Sequence, residues 1–146
     1  MYLPFKKYIE ENFNLENINI EVFKNRIFWY GIDLEKVIEK FGTPSKIFFL
    51  PAITENILRA KEWFYHAIKK HNYHGRYIYS YCSKSNHFSF VVETALNFAD
   101  AFEISSAYDS LIIEKLLENE IISNETMIIC NGFKNDEYLL AIRELY

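Results

Sequence analysis

The sequence predicts an α/β fold: an incomplete (β/α)8 barrel, with its first three or so parallel βα units preceded by a small hairpin-and-helix segment. Three observations carry this expectation. Strand-like and helix-like runs alternate through the second half of the chain, as strand 76–82, helix 88–98, strand 101–105, helix 107–118, strand 126–130 and helix 136–145. Alternating elements of these lengths imply βαβ units and a parallel sheet. Each strand is short and mostly apolar, as expected where helices cover both faces. The front of the chain reads differently, which divides it into an N-terminal segment, residues 1–50, and a barrel portion, residues 51–146.

Residues 5–13 form a short helix candidate. Ile18, Ile20 and Val22 then alternate, and Ile27-Phe28-Trp29-Tyr30 follows a Lys24-Asn25 turn, which predicts a hairpin. Asp33 is placed to cap a helix whose Leu34, Val37, Ile38 and Phe41 share one face, and Gly42 and Pro44 stop it. A strand is expected over 46–50, ended by Pro51. A long helix follows over 54–70, with Ile57, Ala60, Phe64, Ala67 and Ile68 on its apolar face. Lys69, Lys70 and His71 suit the negative end of its dipole.

The 146 residues fit one domain, and 50% are hydrophobic, enough for a sizeable core. Aromatic residues reach 18%, a surplus that suits surfaces awaiting a partner. The net charge is −4 and the 16 basic residues are scattered, which argues against nucleic-acid binding. No run is long and apolar enough to span a bilayer, and the first residues lack a signal-peptide core, so cytoplasm is the expected location. Cys82 and Cys130 make no C-x-x-C pair, and His66, His71 and His74 have no metal-ligand spacing with either. No metal site or disulfide framework is therefore expected. Without secretion, the Asn124-Glu125-Thr126 sequon carries no meaning.

Lys84 is the chief candidate for chemistry. It lies in Tyr77-Ile78-Tyr79-Ser80-Tyr81-Cys82-Ser83-Lys84-Ser85-Asn86, just past the end of a predicted parallel strand. A βα-barrel places its catalytic residues at such strand ends, and a lysine amine can carry a cofactor as a Schiff base.

Four segments carry a family resemblance. Phe41-Gly42-Thr43-Pro44 and Tyr81-Cys82-Ser83-Lys84-Ser85-Asn86 look like the start of the alanine-racemase-type pyridoxal-phosphate decarboxylases. Ser105-Ser106-Ala107-Tyr108-Asp109 and Ile128-Ile129-Cys130-Asn131-Gly132-Phe133-Lys134 fall at that family's next two strand ends. The last, followed by Glu137-Tyr138, is most similar to the biosynthetic arginine decarboxylases rather than to the diaminopimelate or ornithine enzymes. The four occur in order from about residue 27 to the end of the chain.

The resemblance implies a catalytic and cofactor-binding Lys84 that holds pyridoxal 5′-phosphate, and arginine as a small-molecule substrate converted to agmatine and carbon dioxide. It implies a supporting role for Glu103, at an acidic family position that can face the lysine. It also implies homo-oligomers in the full-length enzymes. The family's ring-stacking histidine, glycine-rich phosphate loop and acid opposite the pyridine nitrogen lie beyond the matched part. Gly31, Gly42, Gly75 and Gly132 form no such loop, so cofactor binding by this chain is expected to be weak or absent. A closed barrel takes about 250 residues, and the series stops inside a helix at Arg143-Glu144-Leu145-Tyr146. The expectation is the front part of a larger enzyme, inactive and self-associating in isolation. Phe28, Trp29 and Tyr30 would pack against the enzyme's second domain.

Other readings of the same residues stand beside these. Glu103 can be a strand-end acid paired with any nearby lysine. Asn131-Gly132 can be ordinary turn chemistry. Ser105 and Ser106 suit helix capping, with Asp109 completing a box. His87 is expected exposed, and Cys82 and Cys130 small and buried. Two other classes remain: a complete small α/β domain of flavodoxin or receiver kind, and a non-catalytic binding module that associates with a full-length decarboxylase and modulates it. No G-x-G-x-x-G supports the first.

Overall fold

The structure, a computed structural model, describes residues 19–146. The helix expected over 5–13 and the strand position at Ile18 lie outside the described residues. Two compact units divide the chain, Met1–Phe48 and Phe49–Tyr146.

In the first unit, strands β1 (Ile20–Phe23), β2 (Arg26–Trp29) and β3 (Ile32–Asp33) form an antiparallel meander, followed by helix α1 (Leu34–Phe41). The hairpin is the expected one, with Ile20 opposite Trp29 and Val22 opposite Ile27. Its two turn residues, Lys24 and Asn25, both have positive φ, 48° and 61°, the left-handed pair that matches strand twist in a two-residue loop. Tyr30 and Gly31 repeat the device at φ 49° and 75° and bring in β3, a strand too short to be visible as a pattern in the sequence.

Asp33 caps α1 by accepting from the Glu35 amide at 3.1 Å. Arg26 fixes this junction, with one guanidinium nitrogen 2.8 Å from Asp33 and its Nε 3.0 Å from Glu35. Gly42, at φ 80°, ends the helix, its amide donating to the Ile38 carbonyl at 2.7 Å.

The second unit opens with helix α2 (Leu50–Lys70), then strand β4 (Ser80–Cys82), a 3-10 turn (Ser83–Ser85) and helix α3 (Ser89–Leu96). Strand β5 (Ala101–Ile104), helix α4 (Ala107–Glu118), strand β6 (Met127–Cys130) and helix α5 (Asp136–Leu145) complete it. The three strands form one parallel sheet in the order β4-β5-β6. The molecule is thus α/β with a three-stranded parallel sheet.

Three expectations need correction. Residues 46–49 are not in a strand, Leu50 already belongs to α2, and Pro51 lies in the first turn of that helix instead of closing a strand. There the missing N–H costs nothing, because the first amides of a helix have no acceptor within it. The strand expected over 76–82 is only Ser80–Cys82. Ser80 pairs with Ala101, the first residue of β5, so the ladder among the described residues begins at Ser80. The Tyr79 amide donates instead to the Asp100 carboxylate at 2.9 Å. Finally, the apolar face of α2 is not uniformly buried: Ile57 is enclosed, but Phe64 is exposed and stacks on Tyr77 with ring centroids 4.0 Å apart.

β5 is the centre of the core. Ala101, Phe102 and Ile104 are essentially inaccessible, and Val91, Val92 and Ala95 of α3 and Ile113 and Leu116 of α4 are buried too. Tyr81 and Phe102, paired in register, hold their rings nearly parallel, 8° apart. Lys61 of α2 donates to the Phe98 carbonyl at 3.1 Å and to Asp100 at 2.6 Å, which ties that helix to the turn entering β5.

Candidate functional site

Parallel register brings the C-terminal ends of the three strands side by side. Cys82 pairs with Glu103, and Glu103 with Ile129, so the residues that follow β4 and β6 flank the Glu103 side chain. The 3-10 turn after β4 lifts Lys84 out of the sheet, where its side chain is 61% exposed. Its Nζ stands 3.8 Å from Glu103 Oε1. The two residues singled out from the sequence therefore meet.

The same oxygen has two further neighbours. Asn131 Nδ2 donates to Glu103 Oε1 at 2.9 Å and Cys82 Sγ donates to it at 3.1 Å. These two hydrogen bonds hold the Glu103 carboxyl below the usual carboxylate range, helped by the Lys84 charge and opposed by partial burial. Burial, and then the bond to Glu103, push the Cys82 thiol up. A raised thiol pKa leaves the donor S–H in place rather than a nucleophilic thiolate. Cys82 and Cys130 are half-buried rather than enclosed, because both sit at strand ends and not in the middle of the sheet.

Asn131 and Cys82 were not legible as partners of Glu103. The only signal was the alignment of strand ends in a parallel sheet, which requires the register. Gly132 also exceeds ordinary turn chemistry. Its φ is +78°, and a Cβ there would stand 2.7 Å from the Ser105 carbonyl oxygen. The loops after β5 and β6 are packed backbone to backbone at this point, which only glycine permits.

The Ser-rich end of β5 serves α4. Asp109 closes the expected capping box, its Oδ2 accepting from the amides of Ser105 at 2.7 Å and Ser106 at 3.1 Å. Burial raises the Asp109 carboxyl, but these bonds outweigh it and hold the group below the ordinary range. His87 is exposed, with its Nε2 3.4 Å from Asp109 Oδ1. Beneath the site, Tyr138 of α5 is buried and donates its hydroxyl to the Ile104 carbonyl at 3.1 Å. Its phenol is pushed up to about 12, first by burial and then by the neighbouring Cys130, Asp109 and Glu103.

Among the described residues no three His, Cys, Asp or Glu side chains are grouped to hold a metal ion. His66 lies beside Glu62 on α2, and no helix among the described residues is long and apolar enough to cross a membrane.

Fold and strand ends together define an α/β protein with a lysine–carboxylate cluster on the C-terminal side of a parallel sheet. Sequence comparison gives that class a more particular relative. The chain resembles biosynthetic arginine decarboxylases over part of their length. It is 27% identical over 143 residues to the biosynthetic arginine decarboxylase of Prochlorococcus marinus, covering 91% of this chain and 22% of that protein. The enzyme of the same name from Prochlorococcus marinus subsp. pastoris is 27% identical over 130 residues, covering 83% of this chain and 19% of the relative. The chloroplastic arginine decarboxylase 1A of Nicotiana tabacum is 31% identical over 123 residues, covering 74% and 16%. The chain thus spans about a fifth of the length of these relatives. No family model and no solved structure matches.

Proposed function

We propose that this chain is the front part of a pyridoxal-phosphate-dependent carboxy-lyase of the arginine decarboxylase type, acting in polyamine biosynthesis in the cytoplasm. Its three parallel strands would be the first of an incomplete (β/α)8 barrel. The observation that carries the reading is the exposed Lys84 amine, set beside Glu103 at the C-terminal end of β4, in a chain whose relatives are named arginine decarboxylases.

The residues present fit one part of the cofactor's needs. An exposed lysine amine at a strand end suits covalent attachment of an aldehyde. The strand-end glycine does not serve a phosphate, because the Gly132 amide donates to Asn131 Oδ1 at 2.7 Å. When bound, pyridoxal 5′-phosphate supplies the electron sink that lets an α-carboxylate leave as carbon dioxide. Lys84 would hold the cofactor's carbonyl carbon, and Glu103 would supply a negative charge next to that amine. The phosphate anchor, the ring partner and the contacts that select arginine would come from the rest of the full-length enzyme, which is expected to be a homo-oligomer. A lysine without them binds cofactor weakly.

The test uses borohydride trapping of pyridoxal 5′-phosphate on the purified chain, with peptide mapping. Label at Lys84 above the other lysines is expected, without agmatine formation from arginine. Labelling of Lys84 no greater than that of the exposed Lys115 would refute the assignment.

One observation favours a second reading, that of a binding module. Within the described sheet β6 pairs only with β5, and its Met127 and Ile129 are exposed. Such an edge suits a further strand, whether from additional βα units of a longer enzyme or from a separate full-length decarboxylase. Specific co-purification with the intact enzyme, without Lys84 labelling, would favour the module.

A further inference from the structure

We propose that Asn131 is a positioning residue: with the Cys82 thiol, its amide holds the Glu103 carboxylate off the Lys84 amine. The carboxylate then acts as a fixed counter-charge and not as the amine's hydrogen-bond partner. This deepens the assignment of Lys84 as the reactive amine and rests on it for its functional meaning, though not for its test.

The geometry is specific to one oxygen. Glu103 Oε1 accepts from Asn131 at 2.9 Å and from Cys82 at 3.1 Å, while Lys84 Nζ stands at 3.8 Å. A carboxylate oxygen offers two lone pairs in its plane, and both are engaged. At 3.8 Å the ammonium is within ion-pair range but past hydrogen-bond distance.

The clamp is itself held. The Asn131 amide N–H donates to the Ile104 carbonyl at 2.8 Å, and Asn131 Oδ1 accepts from the Gly132 amide at 2.7 Å. That second bond fixes which end of the side-chain amide faces Glu103, since a reversed amide would set oxygen against carboxylate and N–H against N–H. Gly132 in turn lies against the Ser105 carbonyl, so the loop has little room to drift.

Three titratable groups face Glu103: Cys82 from β4, Lys84 from the turn after it, and Tyr138 from α5, the last with Cys130 and Asp109 close to it. Lys84 is the cation among them. An ammonium hydrogen-bonded to a carboxylate keeps its proton more firmly than one at ion-pair distance. Releasing Glu103 from its two donors would let the carboxylate close on the Lys84 amine.

The experiment is a titration of Lys84 in the whole chain after reductive 13C-methylation of its lysines, with the signal assigned by its loss in Lys84→Arg. In Asn131→Ala the Lys84 midpoint is expected to rise by about half a pH unit or more. In Glu103→Gln it should fall, because the counter-charge is gone. Cys82→Ala should shift it upward in the same sense as Asn131→Ala, and Cys82→Ser, which keeps a donor, should restore the parent value. If Asn131→Ala does not fold, the Cys82 pair decides alone. A Lys84 midpoint unchanged in the folded donor variants, or insensitive to Glu103→Gln, overturns the proposal. Cofactor is absent throughout, so failure here is distinct from failure of Lys84 to take pyridoxal 5′-phosphate.

Discussion

Gly132 lies so close to Ser105 that a Cβ on it would stand 2.7 Å from the Ser105 carbonyl oxygen. This contact joins the loops that follow β5 and β6 and sets Asn131 beside Glu103. Gly132→Ala meets two penalties, the backbone contact and a left-handed φ of +78°. We expect a loss of about 2 kcal/mol or more in urea unfolding. A loss within error would mean that the Ser105 backbone yields freely.

Tyr138 anchors α5 to the end of β5 through its bond to the Ile104 carbonyl. Tyr138→Phe keeps the ring but removes that bond, at an expected cost of about 1 kcal/mol. The pH dependence has a definite sign. The folded phenol is raised to about 12, above an ordinary tyrosine near about 10. Its contribution is complete below the unfolded value and is lost as pH rises from about 10 to about 12. Alkaline unfolding curves of the parent should fall more steeply through this window than those of Tyr138→Phe. Identical slopes would count against the assignment.

Asp109 works in the opposite direction. Its folded carboxyl is held below the ordinary range, so its contribution is present above the unfolded value and lost as pH falls through the folded one. Asp109→Asn should flatten the loss of stability below about pH 4. Asp100 and Glu103 are lowered too and leave a residual slope. An acid limb unchanged by Asp109→Asn would show that the capping box does not hold the charge.

Phe102 is fully buried at the middle of the sheet. Phe102→Ala should cost about 3–5 kcal/mol, enough to abolish cooperative unfolding in a chain of ordinary stability. A retained sharp transition, followed by circular dichroism, would place the stabilising core elsewhere.

Lys61 and Asp100 are part-exposed, so their link should be modest. Lys61→Met is expected to cost about 1 kcal/mol at low salt and less at high salt. A cost independent of salt would assign the effect to the Phe98 carbonyl bond alone.

Two residues of the candidate cluster, Lys84 and Glu103, were named from the sequence. A lysine after a strand is by itself most often a solvated loop residue, and Lys84 stood out because three further segments resembling the decarboxylase family fall in register with it. Glu103 followed from the resemblance, as an acid near the next strand end at a position that can face the lysine. Their meeting at 3.8 Å needed only that the two strands be adjacent and parallel. Asn131 and Cys82 were not legible as its clamps, since two ordinary strand-end residues acquire that role only from the register.

Local chemistry fixed the hairpin turn, the Asp33 and Asp109 caps, the Gly42 stop and the alternation of strands and helices, because each depends on residues a few positions apart. Tertiary structure decided how much of each run became strand. The aromatic stretch before Ser80 and residues 46–49 have strand propensity, but neither is part of a strand ladder among the described residues. A β-strand is completed by a partner distant in sequence, whereas a helix or a cap is completed by its own neighbours. The same physical difference hid the close approach of Gly132 to Ser105, which joins two loops that only the sheet brings together.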